Sequence, residues 1–253
     1  MLVAISWTLV ALGLTSVPSA QGAEAKSSVG KFTAVEIVGY ARQWDSHSNT
    51  WRVISVGDLL SQSSVLQTAQ GSHLIIVAEP KVKAYPSRKS ENGFYVPESR
   101  PYSVLLIQET TTITIKIHTN GAAARTAIID SNTVAYAHIE LLQGAVTAHV
   151  GEFPGELALS ISISNWTVCA SAKADFYIRS SGNFAVHEGK LTIEPPSPEA
   201  RREILGGYMG NMFEGAKLFK LPEYVSGPSR WTGPAEKWMK QSKQAVPGKR
   251  QNF

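Results

Sequence analysis

A two-residue hydrophobic rhythm, recurring from Phe32 to Ile193, constrains this chain more than any other feature. In TTTITIKI (Thr110 to Ile117), Ile113, Ile115 and Ile117 fall on one side of an extended backbone, with Thr112, Thr114 and Lys116 on the other. A helix would scatter these isoleucines around its circumference. ELALSISIS (Glu156 to Ser164) repeats the pattern, with Leu157, Leu159, Ile161 and Ile163 inward and Ser160 and Ser162 outward. FTAVEIVGYA, WRVISV, HLIIVA, SVLLI, TAIID, VAYAHIELL, AVTAHV, DFYIR, FAVHE and KLTI read as further strands. About a dozen short strands, most separated by Gly, Asn, Asp or Ser, predict an all-β domain over residues 32–193: a sandwich, roll or solenoid. No helical periodicity of useful length precedes Pro195.

The connections carry their own signals. DSHSN (Asp45 to Asn49) reads as a hairpin tip that brings Trp44 and Trp51 together across it. In SVGDLLSQSSVLQTAQGS (Ser55 to Ser72), Gly57 permits a sharp turn where a Cβ is expected to clash. Asp58 is placed to bond nearby backbone N–H groups and fix that turn. Leu59–Leu60 and Val65–Leu66 then make short apolar beats before Gly71-Ser72 turns into HLIIV, so the segment wraps a β core. The stretch from Glu79 to Tyr102 has four prolines and many charges, and reads as a solvent-exposed excursion.

Charge and cysteine usage narrow the class. From Ser197 onward there are ten Lys/Arg and five Asp/Glu; the total of 24 and 20 leaves fourteen against fifteen before it. The basic character belongs to the tail, so the body has no surplus for a nucleic-acid footprint. Residues 1–23 carry no side-chain charge, and the apolar run Leu2 to Leu14 is shorter than the roughly 20 residues a bilayer span needs. With small residues at Ala20-Gln21-Gly22 and Ala23-Glu24-Ala25, residues 1–25 read as an export signal, although no Lys or Arg follows Met1. No later segment reads as a transmembrane anchor. Cys169 is the single cysteine, so no internal disulfide forms and the core must hold the fold. It lies in an alternating apolar stretch as a small hydrophobe.

Motifs of catalysis are missing. The six histidines form no His-Glu-x-x-His, and neither Gly-x-Ser-x-Gly nor a phosphate-cradling Gly-rich signature occurs. His138 and Glu140 share a strand face and would need a third ligand to hold a metal; a solvated face is the plainer reading. The chain is therefore expected to be non-enzymatic, with no cofactor and no catalytic or metal residue assigned.

The tail reads differently. Pro195 and Pro196 close the β body, Ser197 is a fair N-cap, and a helix is expected to run to about Ala216. Ile204, Tyr208, Met212 and Phe213 line its apolar stripe, which either packs across the β body or faces a partner or a membrane surface. Three interior glycines cost about 1 kcal/mol each relative to Ala. A second short helix is expected from Pro234, giving a helical tail over 197–245 and a disordered end over 246–253.

Several of these pieces fall in a familiar order. Trp51, Val56-Gly57-Asp58, Leu60, Val65 and Gly71-Ser72 are followed by Leu141-Leu142-Gln143-Gly144-Ala145-Val146, and then by Val186-His187-Glu188-Gly189-Lys190-Leu191. In this order the chain resembles the FecR-like domain of exported bacterial proteins, over roughly Thr33 to Ile193. Lys173-Ala174-Asp175-Phe176 keeps the acid and the Phe of the family's Gly-Thr-Glu-Phe element. The resemblance implies a β-roll, solenoid or sandwich in which Trp51, Gly57, Asp58, Gly71, Gly144, Phe176 and Gly189 are structural positions. It also implies a periplasmic or cell-surface module that senses, or binds a protein or an envelope polymer. The helical and transmembrane parts of the family's anti-sigma members have no counterpart here. The alternatives are an assembly subunit docking through its C-terminal helix, and a carbohydrate-active enzyme whose site the sequence does not reveal.

Overall fold

The computed structural model describes residues 31–45, 48–61, 63–79, 87–89, 95–97, 102–116, 137–151, 159–170, 173–197, 201–215, 217–222 and 232–237. The export-signal segment, the TAIID strand candidate, Leu157, Trp238 and the end 246–253 lie outside them. Among the described residues the fold is predominantly β: two nine-stranded sheets and a two-stranded hairpin.

Strands are numbered along the chain. Sheet A holds β1 (Lys31–Val38), β4 (Leu59–Leu60), β6 (His73–Glu79), β9 (Ser103–Ile107) and β12 (Ala145–Val150). It continues with β15 (Ala174–Arg179), β16 (Asn183–Glu188), β19 (Tyr208–Asn211) and β20 (Leu218–Lys220). Sheet B holds β2 (Ala41–Asp45), β3 (Thr50–Val53), β5 (Val65–Thr68), β10 (Thr112–Lys116) and β11 (Ala137–Gln143). It continues with β13 (Leu159–Ile163), β14 (Trp166–Ala170), β17 (Lys190–Glu194) and β18 (Arg202–Leu205). The hairpin, β7 (Ser87–Lys89) with β8 (Tyr95–Pro97), lies within the stretch expected to be an irregular excursion.

Sheet A runs β4-β1-β6-β9-β12-β15-β16-β19-β20, and sheet B runs β3-β2-β5-β10-β11-β13-β14-β17-β18. The core lies between them. Ile113, Ile115, Ile139, Leu159 and Ile161 of sheet B face Leu74, Ile76, Leu105, Val146 and Phe176 of sheet A, all fully buried. This is the inward set that the two-residue period predicts. Ser160 keeps the outward side, alternating with the core residues Leu159 and Ile161, but is covered there, in register with Cys169 on a strand flanked by neighbours on both sides.

The chain passes repeatedly from one sheet to the other at tight corners. Four of them, joining β1–β2, β5–β6, β9–β10 and β11–β12, form a seam along one long edge. Hydroxyls satisfy the backbone there. Tyr40 N donates to Ser72 Oγ at 2.9 Å, Thr111 N to Thr68 Oγ1 at 3.0 Å, and Ala145 N to Thr111 Oγ1 at 3.0 Å. A bent strand cannot complete its ladder at the bend, so short side chains with an acceptor take over. Three further corners, β14–β15, β16–β17 and β18–β19, form a second seam on the opposite edge, where Gly206 N reaches Gly189 O at 2.9 Å and Lys173 N reaches Gly151 O at 3.1 Å.

From β5 onward, the corners change edge at the parallel pair among the described strands. β11 and β13 run parallel with Ala137 opposite Leu159, an offset of 22 residues (159 minus 137), so β11, β12 and the return to β13 make one complete winding of the chain. Every other pairing between the described strands is antiparallel.

The tail departs from expectation. The helix predicted from Ser197 to about Ala216 is replaced by β18 and β19, which extend sheets B and A. As a helix this segment would carry three interior glycines at about 1 kcal/mol each. As strands, Gly206-Gly207 form the connection, with Gly207 at φ +89°, and Ile204 and Met212 become core residues. Each such burial contributes about 1.5–3 kcal/mol. Helix does form at 233–237, as expected near Pro234. It lies on the outer face of sheet A, where Ala235 is buried against Val35, Ile75, Val77 and Val104. That cover explains why HLIIVA is apolar on both faces rather than alternating.

Candidate binding surface

The strongest concentration of recognition side chains lies on the outer face of sheet B, at its β3 edge. In ARQWD the period-two rule sends Ala41 and Gln43 inward, and both are buried; Arg42 and Trp44 face out. The register of the β2–β3 hairpin sets Trp44 opposite Trp51 and Arg42 opposite Val53. The two indoles meet edge to face, with centroids 5.4 Å apart and planes at 65°. The Arg42 guanidinium lies 4.2 Å from the centre of the Trp51 ring. Its Nε and Nη2 both donate to Gln67 Oε1 on neighbouring β5, at 3.0 and 2.8 Å. Stacking and the fork of hydrogen bonds together hold Arg42 in one orientation. Among the described residues Arg42 pairs with no carboxylate, so its charge is available to a partner.

Behind this platform a polar chain closes the end of the sandwich. Gln43, 1% exposed, accepts from Arg52 Nη2 at 3.4 Å, and Arg52 lies 3.5 Å from Asp58. Asp58 Oδ2 accepts from Ser55 N at 3.0 Å, the turn-fixing bond expected of it. Ile54 and Leu60 plug the apolar side. The reason for Gly57 differs from the expected one. A Cβ there would meet open space, and the glycine is required by its φ of +92°.

The sequence-predicted positions do not form one site. Trp51, Gly57 and Asp58 gather at this end. Gly71 and Gly144 lie on the first seam, Gly189 lies on the second, and Phe176 is fully buried in the core. Ile204 and Met212 line an apolar cleft of about 260 Å³ between the sheets at the far end, with Trp166, Phe184, Ile193 and Leu218. Tyr208 and Phe213 are exposed, and Phe213 meets Trp166 edge to face at 5.8 Å. Sequence reasoning missed Arg42 and Gln67. The i, i+2 spacing of Arg42 and Trp44 was the available signal; the contribution of β5 was not.

A second polar cluster lies on the outer face of sheet A. His149 on β12 and Asp175 on β15 are register partners, with Nδ1 2.5 Å from Oδ1. The hydrogen bond that His149 Nδ1–H donates to Asp175 holds the His149 pKa above its ordinary value against the opposing effect of burial; the charges of Asp175, Glu188 and Glu236 add to the rise. Burial pushes His187 the other way. No hydroxyl or thiol among the described residues bonds His149, and no three His, Cys, Asp or Glu side chains among them converge as a metal site. His138 and Glu140 share β11, and Ser162 Oγ lies 3.5 Å from His138 Nε2.

No protein-family model matches the chain, and no curated protein or solved structure shows significant similarity to it.

Proposed function

We propose that this protein is an exported, non-catalytic β module of the FecR-like kind that binds a protein or an envelope polymer, with a sensing role as one use of that binding. The observation that carries the reading is the Trp44–Trp51–Arg42–Gln67 platform. Trp and Arg are enriched at recognition hot spots; an indole loses little conformational freedom on binding, and Arg42 is already held by Trp51 and Gln67. An exposed indole offers a flat apolar face to a sugar ring or an apolar side chain. The locked guanidinium beside it selects a carboxylate or phosphate. An acidic polysaccharide, or an acidic protein segment, supplies both features. The order of Trp51, the Val-Gly-Asp turn, Gly144 and Gly189 along the chain, and the corner roles of those glycines, support the FecR-like comparison.

The test is retention of the purified protein on immobilised acidic and neutral envelope polysaccharides, and by envelope proteins, against Trp51→Ala and Arg42→Ala. Both side chains lie on the surface, so the variants keep the fold. Loss of a roughly tenfold or greater share of affinity in both supports the platform. Equal binding by wild type and variants removes it.

A further inference from the structure

We propose that the apolar cleft at the C-terminal end of the sandwich binds a small amphiphile, a linear alkyl carboxylate, with the chain held between the sheets and the carboxylate on Arg202. Trp166 of β14, Ile193 of β17 and Ile204 of β18 bound the cleft from sheet B; Phe184 of β16 and Leu218 of β20 bound it from sheet A, and Met212, just after β19, completes it. The strand period places Arg202 there as well. Ile204 belongs to the core, and Arg202, two residues earlier on β18, takes the same side of the strand, in register with the core residue Ile193. A core-facing position at this edge is thus an exposed arginine that lines the cleft. An arginine so placed lays its aliphatic stem along apolar surface and keeps its guanidinium in water, here at the mouth.

That guanidinium is uncommitted. Its chain neighbours are paired, Arg201 with Glu194 at 3.8 Å and Glu203 with Lys190 at 3.0 Å, whereas Arg202 has no carboxylate partner among the described residues. The other polar side chains of the lining are occupied. Glu203 takes the outer side of β18, opposite Thr192. Asn211 donates to Ser181 O and Asn183 Oδ1 and accepts from Phe213 N. An apolar hollow with one cation at its mouth complements an apolar chain that ends in one anion. Volume sets the chain length. At roughly 30 Å³ for a group of water or methylene size, the cleft of about 260 Å³ holds about eight heavy atoms, an octanoate rather than a two-chain lipid. A peptide segment fits less well, because its backbone N–H and C=O groups meet a lining with little to bond them. This site lies at the opposite end from the Trp44–Trp51 platform, and neither reading depends on the other.

Met212 reports on occupancy. With the methionine methyls of the full chain labelled with carbon-13, octanoate below its micelle concentration is expected to shift the Met212 signal saturably. Met209, in register with Ala185 on the outer side of sheet A, is expected to stay unmoved and to report that the fold is intact. Arg202→Gln, at an exposed position, is expected to weaken octanoate about fivefold. 1-Octanol and octylamine, which keep the chain and change the head, make the same comparison on the unaltered protein; both are expected to bind about fivefold more weakly than octanoate. No saturable Met212 shift up to about 5 mM octanoate overturns the proposal. So does an Arg202→Gln variant that binds octanoate as tightly as the wild type, or octylamine that matches octanoate.

Discussion

Single side chains in this protein titrate according to their cover. His149 has a folded pKa above the ordinary 6.5, chiefly through its bond to Asp175. The folded state therefore binds that proton more tightly. The stabilisation is complete below about pH 6.5 and is lost as pH rises through the higher folded value. His187, lowered by burial, has the opposite sign: acidification forces a charge into a desolvated place and costs stability. Asp175→Asn is expected to lower the His149 midpoint in an NMR titration of the imidazole protons. An unmoved midpoint would mean that Asp175 is not the cause. Cys169 tests burial alone. Its thiol is pushed up to about 12 by desolvation, with Glu194 adding to the rise. At pH 8 roughly one molecule in ten thousand holds the thiolate, so a disulfide reagent should react only after denaturant is added. The thiol's burial was legible in the alternating text around it, and so was the Asp58 cap. The His149–Asp175 bond was not, because its partners are 26 residues apart and meet only through strand register.

At the scale of elements, corners separate two roles of glycine. Gly144 has φ +86°, and a Cβ there would lie 2.6 Å from the Thr111 Cα, a backbone atom that cannot step aside. Gly57 has φ +92° with open space around it. Gly57→Ala is therefore expected to cost about 1 kcal/mol in urea unfolding, from backbone strain alone. Gly144→Ala should cost more, about 2–3 kcal/mol, because the seam must also shift. Equal costs would show that the Thr111 contact yields. Period-two reading found most strands, since a half-buried strand writes its inward face into the text. It failed at β18 and β19. There the apolar positions Ile204, Tyr208 and Met212 also fit a four-residue spacing, and the turn at Gly206-Gly207 was read as a flaw in a helix. The β2–β3 hairpin was legible from DSHSN between Trp44 and Trp51, although ARQWD itself does not stand out as a strand because its outward face is Arg and Trp rather than small polar residues.

For the molecule as a whole, the β domain does not stop at Ile193. Ile204 and Met212 belong to the same continuous core as Phe32 and Leu60 at the other end. A chain ending at residue 200 is expected to lose roughly 3–6 kcal/mol from those two side chains alone. That is comparable with the total stability of an ordinary domain. Thermal unfolding followed by circular dichroism should show a collapsed midpoint; an unchanged one would mean the terminal strands are accessory. The sheet order was beyond the sequence, because alternation says that a strand has an inside and not which strand lies beside it. The two seams have a mechanical result. Had all the corners lain along one edge, the sheets could swing apart like the covers of a book about a single spine. Here the corners between β5 and β12 bind one edge, and those between β14 and β19, with the β4–β5 crossing, bind the other, so a gape that loosens one edge is stopped by the binding of the other. Hydrogen exchange in the central strands β11, β12 and β13 should therefore proceed by global unfolding only, and molecules should not gain entry by prying the covers open.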